Sequence, residues 1–82
     1  MTHEYAFKLF RKGHFREIIE SQLPERWRHS PPELRVLLAY VLALVDETQL
    51  ASSVLRHGSE QFATSNLRAR VETTLGIISW RT

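Results

Sequence analysis

The chain has no cysteine, three glycines and three prolines, and no apolar stretch long enough to cross a bilayer. Without cysteine there are no disulfides, no thiolate nucleophile and no cysteine-ligated zinc. Three glycines leave no glycine-rich phosphate loop, and each reads as a turn or packing residue. The longest apolar run, 36–45, holds ten residues, about half of the ~20 a spanning helix needs. It reads as a buried core helix, and no membrane insertion is expected. The N-terminus lacks a basic segment followed by an apolar one, so a cytoplasmic location is expected. Charge of one sign is scarce too: eleven Lys and Arg against nine Asp and Glu give +2, a slight surplus for a polyanion binder.

Catalytic groupings are missing as well. His3, His14, His29 and His57 are scattered, with no pair at a metal-ligand spacing such as H-E-x-x-H. Ser30, Ser52 and Ser53 have no base close to them in sequence. No catalytic residue, metal or cofactor is expected, and the chain is not read as an enzyme.

What is present is helix-forming sequence in an all-α pattern, since strand-like alternation is nowhere sustained. Eighty-two residues allow one domain with a modest core, which buries about 60–65% of its unfolded surface. A first helix is expected over 2–12, with Tyr5, Leu9 and either Phe7 or Phe10 inward, ended by Gly13. A second, over 14–23, carries Phe15, Ile18, Ile19 and Leu23 on one stripe and stops at Pro24. The short connection makes the pair antiparallel. Trp27, in the basic stretch Arg26-Trp27-Arg28, anchors the connector onto this first hairpin.

Ser30-Pro31-Pro32-Glu33 is the clearest start signal, with Ser30 as cap, Pro31 at the first helical position and Glu33 reaching back. The third helix, to about residue 45, is apolar nearly all round and so belongs in the middle. Asp46 with Gln49 is expected to cap a fourth helix, whose inner face is Leu50, Ala51, Val54 and Leu55 and whose end is Gly58. Phe62 tucks into the core from the following loop. Asn66 caps a fifth helix, which carries Leu67, Val71, Leu75 and Ile78 and reaches Thr82. Hairpins over 2–23 and 31–58 are thus followed by a lone helix over 66–82, whose missing second arm leaves a face uncovered. The outer side of helix one, with Phe7 or Phe10, is the other open end.

Small residues mark the same point of three of these helices: Ala6, Ala39 and Gly76, spaced 33 and 37 residues apart. Together with Tyr5, Leu9, Gly13 and Phe15, then Leu38, Leu42, Ala51, Leu55 and Gly58, then Leu75, they resemble the tetratricopeptide repeat. Ile18 and Asp46 depart from its pattern, standing where it has a small residue and a turn glycine. The stretch 34–55 is also similar to the small cytosolic chaperones of type III secretion needle subunits.

The resemblance implies a curved stack of antiparallel hairpins whose first helices line a concave, partner-binding side. It places Phe7, Phe10 and Arg11 there, with Leu37, Tyr40 and Leu44 from helix three and Ile77, Trp80 and Arg81 from helix five. The implied partner is a protein, through the apolar face of an amphipathic helix, and a homo-oligomer is a further outcome. Relatives that clamp a C-terminal carboxylate use Lys and Asn on this side. The matching positions here hold His3 and Phe7, Val36 and Tyr40, Thr73 and Ile77, a departure from that mode. The implied function is a chaperone or adaptor, with two alternatives. The chain could be the N-terminal module of a larger regulatory protein, or a small basic nucleic-acid binder using Arg26-Trp27-Arg28-His29 with Arg68 and Arg70. Salt-sensitive binding would mark the nucleic-acid reading.

Overall fold

Each helix boundary follows from what the local sequence offers the free backbone groups. The computed structural model describes residues 2–22, 26–57 and 65–81. Leu23, Pro24, Gly58, Phe62 and Thr82 lie outside the described residues, as do the side chains of His3, Asn66 and Arg81. Helix α1 spans His3–Arg11, and Thr2 caps it by accepting the Tyr5 amide at 3.2 Å, satisfying a donor that has no partner within the helix. α2 spans Phe15–Gln22, and a short 3₁₀ turn covers Arg26–His29. α3 is Pro32–Leu44, α4 Thr48–Arg56 and α5 Ser65–Arg81. Among the described residues there is no strand, and no helix is long and apolar enough to cross a membrane.

Two expected caps do not form. Pro31 occupies the cap position of α3 and Pro32 the first turn, with no side-chain cap bond. The Ser30 hydroxyl instead donates to the side-chain carbonyl of Gln22, a buried amide that would be costly without a partner. Asp46 does not cap α4 either; the cap position is Glu47, again without a side-chain bond. Asp46 has φ +68°, a left-handed turn conformation that Asp tolerates better than most residues.

α3 lies in the middle and packs against α1, α2, α4, α5 and the 3₁₀ turn. Residues 34–39 and 41–43 are buried on all its sides, as a sequence apolar nearly all round requires, with Arg35 the one charged residue among them. Ala6, Ala39 and Ala51 are fully buried, which lets neighbouring backbones come close. Tyr5, expected inward, is 54% exposed; Ala6, Leu9 and Phe10 take the inward side of α1.

Hairpin elements recur at an interval of 33 residues. α2 starts at Phe15 and α4 at Thr48; α3 starts at Pro32 and α5 at Ser65. The turns match bond for bond. Gly13 donates to the Phe10 carbonyl and His14 to Leu9; Asp46 donates to Ala43 and Glu47 to Leu42, all between 2.9 and 3.3 Å. Both are helix ends closed by a left-handed residue and a six-to-one bond, with Gly13 at φ +80° and Asp46 at +68°.

α5 obeys the same interval, which overturns two expectations about it. Its buried seam is Leu67, Thr74 and Ile78 with half-buried Val71, and Leu75 is 46% exposed. Thr74 belongs inside because its hydroxyl donates to the Arg70 carbonyl at 2.8 Å, leaving only its methyl to pack. Gly76 is exposed, and a Cβ there would meet nothing within 4 Å. It is not a close-packing residue. Thirty-three residues beyond Ala39 and Leu42 stand Glu72 and Leu75. Their equivalents Ala6, Leu9, Ala39 and Leu42 are buried, whereas Glu72 and Leu75 are exposed, and among the described residues no second arm follows α5.

Candidate functional site

A cavity of about 330 Å³ opens where α1, α3 and α5 meet. At roughly 30 Å³ per water it has room for about ten waters, or a few apolar side chains. α1 contributes Phe7 and Phe10, α3 contributes Val36, Leu37 and Tyr40, and α5 contributes Ala69, Arg70, Thr73 and Thr74. The 33-residue interval orders this lining. Phe7, Tyr40 and Thr73 are successive equivalents, as are Val36 with Ala69 and Leu37 with Arg70. Three helices therefore present the same face to one space.

Aromatic contacts hold the α1–α3 wall. Phe10, half-buried, stacks with Phe7 at 6.1 Å, tilts against Phe15 at 5.6 Å and meets Tyr40 edge-on at 5.6 Å. Such offset and edge-on pairs contribute about 0.5–1.5 kcal/mol each beyond area burial. Phe10 thus belongs to the wall rather than to the ligand side. Phe7, 39% exposed, and half-buried Tyr40 are the accessible aromatic surfaces.

Four of the nine sequence-derived site residues, Phe7, Phe10, Leu37 and Tyr40, come together in this lining. Leu37 is 8% exposed and belongs to the core as the cavity floor. Arg11, Leu44 and Ile77 are equivalents one turn further along and do not line the cavity. Arg11 is exposed, and Leu44 and Ile77 are half-buried, Ile77 against the core. Trp80 does not line it either. It is 89% exposed and sits seven residues after Thr73, hence on the same side of α5 about two turns away. Arg81 ends α5.

The lining residues not assigned to the site from the sequence are Val36, Ala69, Arg70, Thr73 and Thr74. A third unit anchored on Gly76 displaces the α5 contribution by a full turn toward the C-terminus. Counting 33 from Val36, Leu37 and Tyr40 finds Ala69, Arg70 and Thr73.

The basic aromatic stretch has a structural use. Trp27 is 5% exposed, meets the His57 ring edge-on at 5.2 Å and carries the Arg28 guanidinium over its own ring at 5.4 Å. The 3₁₀ turn packs on α2 and α3, so Trp27 ties the first hairpin to the end of α4. Buried Arg35 donates to the His57 carbonyl at 3.1 Å at the same junction. With Trp27 buried, Arg26-Trp27-Arg28 offers no open aromatic face on which a base could stack. No group of three or more His, Asp or Glu side chains among the described residues is placed to hold a metal ion. No protein-family model matches the chain, and no curated protein or solved structure matches it.

Proposed function

We propose that this chain is a protein-binding module of tetratricopeptide-like hairpins, holding an amphipathic helix of another polypeptide on the side shared by α1, α3 and α5. The observation that carries this is the cavity lining, in which Phe7, Tyr40 and Thr73 recur at 33-residue intervals around one mostly apolar opening. A recurring apolar face open to solvent suits a ligand that is itself periodic, and a helix with apolar anchors at i, i+3, i+4 and i+7 is such a ligand. Each anchor buried adds roughly 1.5–3 kcal/mol, so three or four support micromolar binding after association costs. In its most concrete form this is a small chaperone or adaptor, resembling those of type III secretion needle subunits, that keeps the partner's apolar face from water.

A photo-crosslinking amino acid at Thr73 tests the reading, with one at exposed Arg16 on α2 as control. In producing cells the Thr73 probe should give a discrete adduct whose crosslinked peptide, by mass spectrometry, has helical apolar spacing. Equal, diffuse labelling from both positions would reject it.

A further inference from the structure

We infer that the helix held in the α1–α3–α5 cavity is acidic: beside its apolar anchor it carries a carboxylate side chain that pairs with Arg70. The inference rests on the proposed binding function and adds the chemistry of the partner. Arg70 is the one charged residue of the cavity lining. It stands 33 residues beyond Leu37, so a cation replaces the aliphatic floor residue of the preceding unit.

Nothing on its own helix neutralises it. The residues three and four away are Asn66, Leu67, Thr73 and Thr74, with no carboxylate among them, and these are the positions that pair on a helix. Among the described residues no carboxylate forms a salt bridge with Arg70.

The remaining polar groups of the α5 wall are already used. Thr73 donates to the Ala69 carbonyl at 3.0 Å and Thr74 to the Arg70 carbonyl at 2.8 Å. An apolar side chain entering the cavity therefore comes to rest beside a guanidinium that no carboxylate neutralises among the described residues. A neighbouring Glu or Asp offers the planar, two-oxygen acceptor that guanidinium geometry matches. A Lys or Arg there would meet like charge, which selects against basic partners.

A displayed library of 15-residue helices tests this, with Leu fixed at i, i+3 and i+7 and all other positions random. It is selected against the wild-type chain, Arg70→Glu and Ala69→Trp, each first shown to melt like wild type. The wild type should enrich Glu or Asp next to one fixed Leu, and Arg70→Glu should enrich Lys or Arg at that position. In fluorescence anisotropy, changing that acid of the best peptide to Gln should weaken binding about fivefold at low salt, and less at high salt. Enrichment of apolar helices with no charge preference, lost in Ala69→Trp, would overturn the acidic partner and leave the groove standing. Equal enrichment by wild type and Ala69→Trp would overturn both.

Discussion

Two small residues on the same chain behave in opposite ways, and substitution should separate them. Ala39 is fully buried at the centre of α3, so Ala39→Leu forces extra methylenes into a closed contact and should cost about 1–3 kcal/mol. Gly76 has open space where a Cβ would stand, so Gly76→Ala should stabilise by roughly 0.5–1 kcal/mol through helix propensity alone. Thermal unfolding followed by circular dichroism reads both, at roughly 4–8 °C per kcal/mol for a domain of this size. A loss of stability in Gly76→Ala would restore the close-packing role that the exposed Gly76 argues against. The identity of a small residue is visible in a sequence. Whether it is small to admit a neighbour depends on an element elsewhere, and for α5 that element is missing from the described residues. Leu75 misleads for the same reason: it continues the pattern of buried Leu9 and Leu42 but is exposed, with no covering arm among the described residues.

At the scale of elements, the helices themselves were legible. Periodic apolar positions, Gly13 and the proline pair place five helices within a few residues of where they lie, and the apolar sequence of α3 puts it in the middle. Capping was less legible, because Ser30 and Asp46 have several backbone uses and tertiary contacts choose among them. Ser30 serves buried Gln22, and Asp46 takes the left-handed turn position that Gly13 holds in the first hairpin. If the two turns are equivalent, Gly13→Asp should be tolerated better than Gly13→Val, whose branched side chain makes the left-handed conformation a genuine strain. We expect Val to cost about 1–2 kcal/mol, with Asp costing measurably less. Equal losses in chemical denaturation would show that the turns share hydrogen bonds without sharing conformational demands. The tie between the hairpins is tested at Trp27. Trp27→Ala should cost about 3–5 kcal/mol by emptying a buried aromatic site, and Trp80→Ala should stay within about 0.5 kcal/mol as an exposed change.

At the scale of the whole molecule, an 82-residue chain keeps Phe7, Tyr40 and Trp80 within reach of solvent on the faces of α1, α3 and α5. Its core is already formed around α3, and the small residues Ala69 and Thr73 leave the space between the three helices unfilled. One large side chain would close it. Ala69→Trp places an indole at an exposed position lining the cavity, so the fold should keep its melting temperature within a few degrees while the opening is filled. If the cavity exists to hold a partner helix, that variant should lose binding and keep stability, separating the two roles that apolar residues play in so small a protein. The chain supplies its own reporter. It has two tryptophans, one buried and one 89% exposed, so Trp27→Phe leaves Trp80 as the single tryptophan, excited apart from the tyrosines, at a modest cost in packing. In that background a helix seated along α5 should shift Trp80 emission to the blue and shield it from iodide, and the Ala69→Trp substitution cannot serve there because it adds a second indole. Ala69→Leu is the matching blocked variant. Its Trp80 should stay solvent-quenched at partner concentrations that saturate the unblocked chain. Blue-shifted emission that persists in the blocked variant would move the partner off the α1–α3–α5 face and onto the uncovered side of α5 marked by Glu72 and Leu75.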